Sequence, residues 1–144
     1  MKNFFKLCFI TDGEAYYFNI ALLFFRVVLS LELIIVHGFK KLGIGVPIAE
    51  VVPNPLSLPE VLNQSFATAA NIVFPFFIML GVLTRLSTLP ILAVTLTGYF
   101  VLHAQDNLLI RDVPFMYSIA YLFILLVGPG KFSVDFLIYK KLIK

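Results

Sequence analysis

Four long apolar runs dominate this sequence, over approximately residues 18–36, 66–83, 86–102 and 114–127. A helix needs about 20 predominantly apolar residues to cross a hydrocarbon core about 30 Å thick, and each run approaches that length. Backbone inside a bilayer must satisfy its own hydrogen bonds, and no apolar–polar alternation indicates a β-barrel. The runs therefore predict an all-α, integral membrane four-helix bundle that forms one domain over residues 1–144.

The composition supports a membrane environment. Hydrophobic residues make up 60% of the 144 residues and charged residues only 13%, which is more apolar surface than a small soluble domain can bury. The net charge of +3 comes from lysines and arginines near the chain ends and beside the apolar runs. That placement favours a membrane over a nucleic acid partner. Cys8 is the only cysteine, so dithiol chemistry within the chain is excluded. No small-residue cleavage site follows the N-terminal apolar stretch, so we expect no removable signal peptide.

The distribution of basic residues predicts an orientation. With four spans, the N-terminus, the second connection and the C-terminus share one side. That side holds Lys2, Lys6, Arg85, Lys131, Lys140, Lys141 and Lys144. The other side holds Lys40, Lys41 and Arg111. The positive-inside rule then places both termini in the cytoplasm of a bacterial inner membrane protein.

The connections between the spans differ in character. Residues 37–65 form a long, proline- and glycine-rich link, whose apolar tail over 56–65 is expected at the membrane interface. Residues 84–87 predict a tight turn, which makes the second and third spans antiparallel neighbours. Gly128-Pro129-Gly130 ends the fourth span. A short helix over 133–143, capped by Ser133 or Asp135, is expected to lie on the membrane surface.

Two ionisable residues fall within the first run. Arg26 lies near its middle, where an arginine costs at least ~2.5 kcal/mol on insertion scales, and Glu32 lies near its outer end. Their spacing of six residues puts them on different faces of a helix. Each is therefore expected to find partners on other helices or in water, and intramembrane ionisable residues indicate function.

Several polar side chains are predicted to converge on the outer half of the bundle. The candidate ligand-binding residues are Arg26, Glu32, His37, Asn71, Tyr99, His103 and Tyr117. One interpretation is a pocket, open outward, for a headgroup, a quinone ring or a small anion. The other is that these groups satisfy one another and join the helices. His37 and His103 also leave axial haem ligation open as an alternative, but no metal site is predicted.

Three motifs occur in order along the chain. An arginine in the first span is followed by His37-Gly38-Phe39-Lys40-Lys41-Leu42-Gly43, then by Leu80-Gly81-Val82-Leu83-Thr84-Arg85, and then by Gly128-Pro129-Gly130-Lys131-Phe132-Ser133-Val134-Asp135. Together they resemble the DoxX family over nearly the whole chain. The resemblance makes Gly38, Lys41, Arg85, Gly128, Gly130 and Asp135 structural motif residues. Arg85 is expected to reach lipid phosphates or to cap the carbonyls of the preceding helix.

The resemblance implies a four-helix membrane protein. Family members are associated with sulfur and quinone redox chemistry as membrane subunits of thiosulfate:quinone oxidoreductase, and with oxidative-stress complexes. Family members often carry an acidic residue in the second span, at about the position of Asn71 in this chain. Because Asn71 is uncharged, Glu32 is the only acidic residue that lies well within a predicted span.

These observations predict an accessory, non-catalytic subunit of a membrane redox complex rather than a stand-alone enzyme. We expect no intrinsic cofactor, and a quinone or lipid as the ligand. The expected partners are the bilayer and other membrane subunits or further copies of the chain, without nucleic acid. An assembly factor or chaperone for other membrane proteins is the alternative, and a transporter is the third.

Overall fold

The computed structural model describes residues 16–142, and in that part of the chain all regular structure is helical. Lys2, Lys6, Cys8 and Lys144 lie outside it. Four helices are long and apolar enough to cross a membrane: α1, Tyr16–Lys41; α2, Glu60–Leu80; α3, Thr84–Leu102; and α4, Leu108–Val127. A short helix α5, Val134–Leu142, follows. The predicted all-α bundle of four spans is confirmed.

Neighbouring helices in the chain pack side by side, α1 on α2, α2 on α3 and α3 on α4. Their shared core contains Leu33, Ile78, Ile91 and Ile124, all at most 2% exposed. Large apolar side chains instead cover the outside of the bundle, including Phe24, which is 67% exposed. Such a surface requires a hydrocarbon solvent, because exposing these apolar side chains to water would cost a large free energy.

Helix α1 changes its winding halfway along. It is α-helical over Tyr16–Glu32, π-helical over Leu33–Gly38 and α-helical again over Phe39–Lys41. Gly38 permits the close approach of α1 to α2, because a Cβ atom there would lie 2.7 Å from the Asn71 carbonyl oxygen. Helix α3 also ends in a π-helical segment, Gly98–Leu102. Single-turn π segments frequently occur at functional sites.

Two predicted connections have different boundaries in the structure. The link between the first two spans covers only residues 42–59, because α1 continues to Lys41 and α2 begins at Glu60. The turn predicted at residues 84–87 is wrong by three residues. It lies instead at Gly81 and Leu83, which both have positive φ angles, of 72° and 45°. Thr84 and Arg85 therefore belong to the first turn of α3.

The chain after α4 turns back over one end of the bundle. Gly128 has a φ of 89° and ends α4. The Ser133 hydroxyl accepts a hydrogen bond from the Phe136 amide at 3.1 Å, which confirms Ser133 as the N-terminal cap of α5. Asp135 does not cap α5. Its carboxylate points to the start of α3 instead, so that α5 is attached to the bundle at this residue.

Candidate functional site

The polar residues predicted to share one pocket separate into three groups in the structure. The first is an inner cluster, which we define as Asn19, Arg26, Gly81, Ser133 and Asp135, at the end of the bundle where α2 passes into α3. The words inner and outer name the two ends of the bundle according to the predicted orientation. The Arg26 side chain is completely buried, and its Nη2 donates to the Phe132 carbonyl at 2.7 Å. Its Nη1 lies against Gly81, where an added Cβ would come within 2.5 Å.

Asp135 is the acceptor at the centre of the inner cluster. Its carboxylate accepts from the Leu83 amide at 2.7 Å, the Thr84 amide at 2.8 Å and the Thr84 hydroxyl at 2.9 Å. These are donors at the N-terminus of α3, where the helix dipole also favours a negative charge. The Asp135 amide donates to the Gly81 carbonyl at 2.8 Å. One side chain thus joins α5 to the α2–α3 turn.

The remaining motif residues complete the same end of the bundle. Arg85 lies against Gly128 and donates to the Leu126 carbonyl at 3.1 Å, so it caps α4 and not the helix before it. The Asn19 side chain accepts from the Lys131 amide at 2.7 Å. Gly130 approaches Leu22 so closely that a Cβ there would lie 2.9 Å from it. The structural role predicted for these glycines has a direct steric reason.

Arg26 does not lie level with the other candidate ligand-binding residues along the bundle. Arg26 contacts Gly81, the residue that ends α2, and segment 132–133 beyond α4. Helix α1 starts almost three turns earlier, at Tyr16. Arg26 is thus level with the α2–α3 turn, and it is separate from the other candidate ligand-binding residues.

The second group is a mid-membrane cluster, which we define as Glu32, His37 and Tyr117. The Tyr117 hydroxyl donates to the Glu32 carboxylate, and the His37 ring packs edge-on against the Tyr117 ring at 5.3 Å. Tyr117 is near the middle of α4, so the Glu32 carboxylate lies deeper than the outer end of the span. Tyr117 is 8% exposed, whereas Glu32 is exposed on the outside of the bundle. Here the structure brings together three of the predicted residues.

A buried polar column continues inward from Tyr117. Tyr121 stacks one turn below it at 6.4 Å, and both Tyr121 and Ser30 are completely buried. The Ser30 hydroxyl is the polar neighbour of the Tyr121 hydroxyl. On the other side of α4, the Ser118 hydroxyl donates to Thr95 at 2.9 Å. Ser118 and Thr95 thus join α3 to α4, as the structural interpretation predicted.

The third group lies at the outer end of α3 and α4. The Arg111 guanidinium stacks over the Tyr99 ring at 4.2 Å and donates to the Tyr99 carbonyl at 3.3 Å. His103 and Asp106 form a pair at 2.7 Å. Tyr99 and His103 thus have local partners of their own, away from the mid-membrane cluster. Asn71 is buried at the middle of α2, with its backbone against Gly38. Among residues 16–142, no group of three or more metal-ligating side chains is present.

An outer pocket of about 230 Å³ lies between α2, α3 and the link, and none of the predicted ligand residues lines it. Link residues 52–58 cover the pocket on one side, and small residues of the two helices, Ala67, Ala93 and Gly98, form its floor. Its polar groups include Lys41 and Asn63. Lys41 donates to the His37 carbonyl at 3.2 Å and pairs with Glu50 at 3.6 Å. No local sequence pattern indicates this pocket, because it forms only when the link folds back over α2 and α3.

A second apolar cavity follows the seam between α1 and α4, which approach each other closely at few points along their length. This α1–α4 groove has a volume of about 630 Å³. Its lining is almost entirely apolar: Phe18, Ala21, Leu22, Phe24, Phe25, Met116, Ile119, Ala120 and Phe123. The Phe25 and Phe123 rings meet across it at 5.7 Å. The groove is part of the surface that faces the hydrocarbon.

Comparison with known proteins defines the class of this chain. The DoxX family profile matches residues 21–104. The chain is also 32% identical over 93 residues to an uncharacterized protein of Haemophilus influenzae, a match that covers 61% of this chain and 62% of that protein. The match thus spans somewhat less than two thirds of the relative's length. No solved structure matches the chain.

The four spanning helices and the family match identify a multi-pass membrane protein. The chain belongs to the DoxX family.

Proposed function

We propose that this DoxX-family protein is a non-catalytic accessory subunit of a quinone-linked membrane complex, and that its outer pocket binds the ring or chain of a quinone or lipid. The pocket carries this proposal, because it combines an apolar floor with a cationic group. Sites for small amphipathic ligands have this composition, in which a few polar groups orient a mostly apolar ligand.

The residues around the pocket fit such a ligand. The Lys41 ammonium has three donors, and its two described partners, the His37 carbonyl and the Glu50 carboxylate, leave it able to donate to a further oxygen. The Asn63 amide nitrogen donates to backbone carbonyls of Val52 and Pro53 at 3.3 and 3.2 Å, which holds the link over the pocket. A bound quinone would supply the redox chemistry. The chain would supply only its position.

The proposed setting is a bacterial inner membrane with both termini in the cytoplasm. The inner cluster then faces the cytoplasm, and the outer pocket and the Tyr99–Arg111 stack face the opposite leaflet. The excess of lysine and arginine at the inner end supports this orientation. A reporter that is inactive outside the cytoplasm, fused after Lys144, should be active. An inactive fusion would reverse the orientation.

The ligand is tested by purifying the tagged chain in a mild detergent and measuring quinone in an organic extract. We expect about one quinone per chain in the wild type and a loss of at least fivefold in Ala93→Phe, which fills the pocket. Leu89→Phe, on an exposed position of the same helix, is the matched control and should retain the quinone. A wild-type preparation that contains neither quinone nor a redox partner would exclude the proposed function.

The assembly-factor alternative rests on a different part of the molecule. The α1–α4 groove and the exposed Glu32 form a surface for other membrane proteins without requiring a ligand. Filling the outer pocket with Ala93→Phe and narrowing the groove with Ala120→Phe, as separate variants, distinguishes the two roles. Lost turnover of the complex with retained partner binding in Ala93→Phe favours the redox subunit. Lost partner stability in Ala120→Phe, without any effect of Ala93→Phe, favours the assembly factor.

A further inference from the structure

Glu32 is an acidic side chain on the lipid-facing surface of the bundle. It is exposed, and its described hydrogen-bond partner is the Tyr117 hydroxyl, which leaves most of the acceptor capacity of the carboxylate unused. Ionisable groups at this depth normally face the bundle interior and pair with one another, because hydrocarbon offers them no partner. Lipid chains therefore offer the Glu32 carboxylate neither a hydrogen-bond donor nor an opposite charge.

The position of Glu32 relates it to the α1–α4 groove. Phe18 and Phe25 line the groove, and Glu32 follows Phe25 at the same seven-residue spacing, which keeps all three on one face of α1. On α4, Met116 and Ile119 of the groove lie on either side of Tyr117 in the sequence. The Glu32–Tyr117 hydrogen bond thus lies at the outer end of the groove. An apolar channel and a carboxylate form one continuous surface.

A second copy of this chain does not supply a cation that could pair with Glu32. The described cations of α1 and α4 are Arg26, Lys40, Lys41 and Arg111. Arg26 is buried in the inner cluster, and the other three lie toward the outer ends of their helices. A two-fold pair through this face would bring carboxylates together at mid-membrane without a cation between them, which is unfavourable.

We propose that the α1–α4 groove binds a transmembrane helix of a different membrane protein, and that this helix carries an arginine or lysine at mid-membrane depth that pairs with Glu32. The inference rests on the proposed role as a subunit, and it names the chemistry of the partner. The charge pair compensates two groups that are each costly in hydrocarbon, and the apolar groove packs the rest of the partner helix. The outer pocket stays accessible on the opposite side of the bundle, between α2 and α3.

The test uses the full chain labelled with a donor dye at Cys8 and incorporated into phosphatidylcholine vesicles. Acceptor-labelled, leucine-rich transmembrane peptides carry either a central Arg or a central Leu. We expect the central-Arg peptide to associate with the wild type at least fivefold more tightly than the central-Leu peptide. Glu32→Gln should remove this difference, and Glu32→Lys should transfer the preference to a central-Glu peptide.

Ala120→Phe narrows the groove and should weaken association of the central-Arg peptide at least threefold, whereas Val113→Phe, exposed on the same helix, should not. Equal association of the two peptides, or a preference that survives in Glu32→Gln, would overturn the inference. So would energy transfer between two copies of the chain that Ala120→Phe abolishes. Circular dichroism and size exclusion establish that each variant is folded. Quinone content is measured separately, so loss of the ligand role and loss of this docking site give different results.

Discussion

The inner cluster and the mid-membrane cluster each contain an ionisable residue of α1, but these two residues differ in burial. Arg26 is completely buried among Gly81, Phe132 and Ser133. Glu32, six residues later, is exposed with a hydrogen bond to Tyr117. A charged group in a membrane span is therefore not functional merely because it is charged. Among the described residues, the Arg26 Nε and Nη1 donors have no hydrogen-bond partner, but the protein encloses them. The Glu32 carboxylate is instead accessible from the membrane, which is the basis of the partner helix proposed above.

The difference has a simple energetic basis. In the inner cluster, removal of one group leaves others buried without partners, so the cost appears in the stability of the fold. In the mid-membrane cluster the carboxylate is at the surface, so its replacement by another acceptor such as glutamine leaves no buried group without a partner. Variants in the inner cluster should therefore lower the stability of the fold, whereas variants of Glu32 should weaken association with a partner helix.

The largest loss of stability is expected for Gly81→Ala. The substitution puts a Cβ 2.4 Å from the Ser133 Cβ at a residue with a φ of 72°. Overpacking and left-handed strain together should lower the free energy of unfolding by about 3 kcal/mol or more. Gly45→Ala is the control, because its φ is 76° but nothing lies within 4 Å. The measurement is the thermal midpoint in detergent; equal midpoints of the two variants would exclude a packed inner cluster.

A smaller loss is expected for Asp135→Ala. The variant removes the acceptor of the Leu83 and Thr84 amides and of the Thr84 hydroxyl, and it detaches α5 from the turn. We expect about 2 kcal/mol of destabilisation, and faster proteolysis after residue 127. Asp106→Ala removes an exposed carboxylate and serves as the control. Unchanged proteolysis in Asp135→Ala would contradict the attachment of α5 through this residue.

Glu32→Gln should change the free energy of unfolding by less than about 1 kcal/mol, because the glutamine carbonyl still accepts from Tyr117. Its association with the central-Arg peptide should nevertheless fall at least fivefold. This variant sharpens the comparison, since it changes function without changing the fold. A midpoint as low as that of Gly81→Ala would place Glu32 with the structural residues.

The smallest effect is expected for His103→Ala. Its pair with Asp106 is partly exposed at the outer turn, and such pairs contribute about 0.5 kcal/mol. Peptide association and quinone content should be unchanged within error. A loss of quinone in this variant would show that the turn at His103 belongs to the ligand site.

The four spans were predictable because their signal is a local one, the length and hydropathy of each run. The ends of the spans were less predictable. Helix α1 runs on to Lys41 through a π-helical segment, and periodicity alone does not show this change of winding. The α2–α3 turn was placed three residues too late, since Gly81 and Leu83 adopt positive φ angles while Thr84 starts the next helix.

The arrangement of the site was only partly predictable. Glu32, His37 and Tyr117 come together, as expected from their polarity. Arg26 is elsewhere, because it packs against the α2–α3 turn, where the C-terminal segment covers it. That contact joins residues more than a hundred positions apart. No spacing rule within one helix predicts it, and the outer pocket likewise depends on a link that folds back over two helices.

The depth of the residue 32 side chain in the bilayer tests the central difference most directly. A spin label is attached at Glu32→Cys and, for comparison, at Tyr17→Cys, each combined with Cys8→Ser, and its accessibility to oxygen and to a water-soluble nickel complex is measured in vesicles. We predict high oxygen and low nickel accessibility at residue 32, and the reverse at residue 17. High nickel accessibility at residue 32 would contradict a carboxylate exposed to hydrocarbon and remove the basis for a charged partner helix.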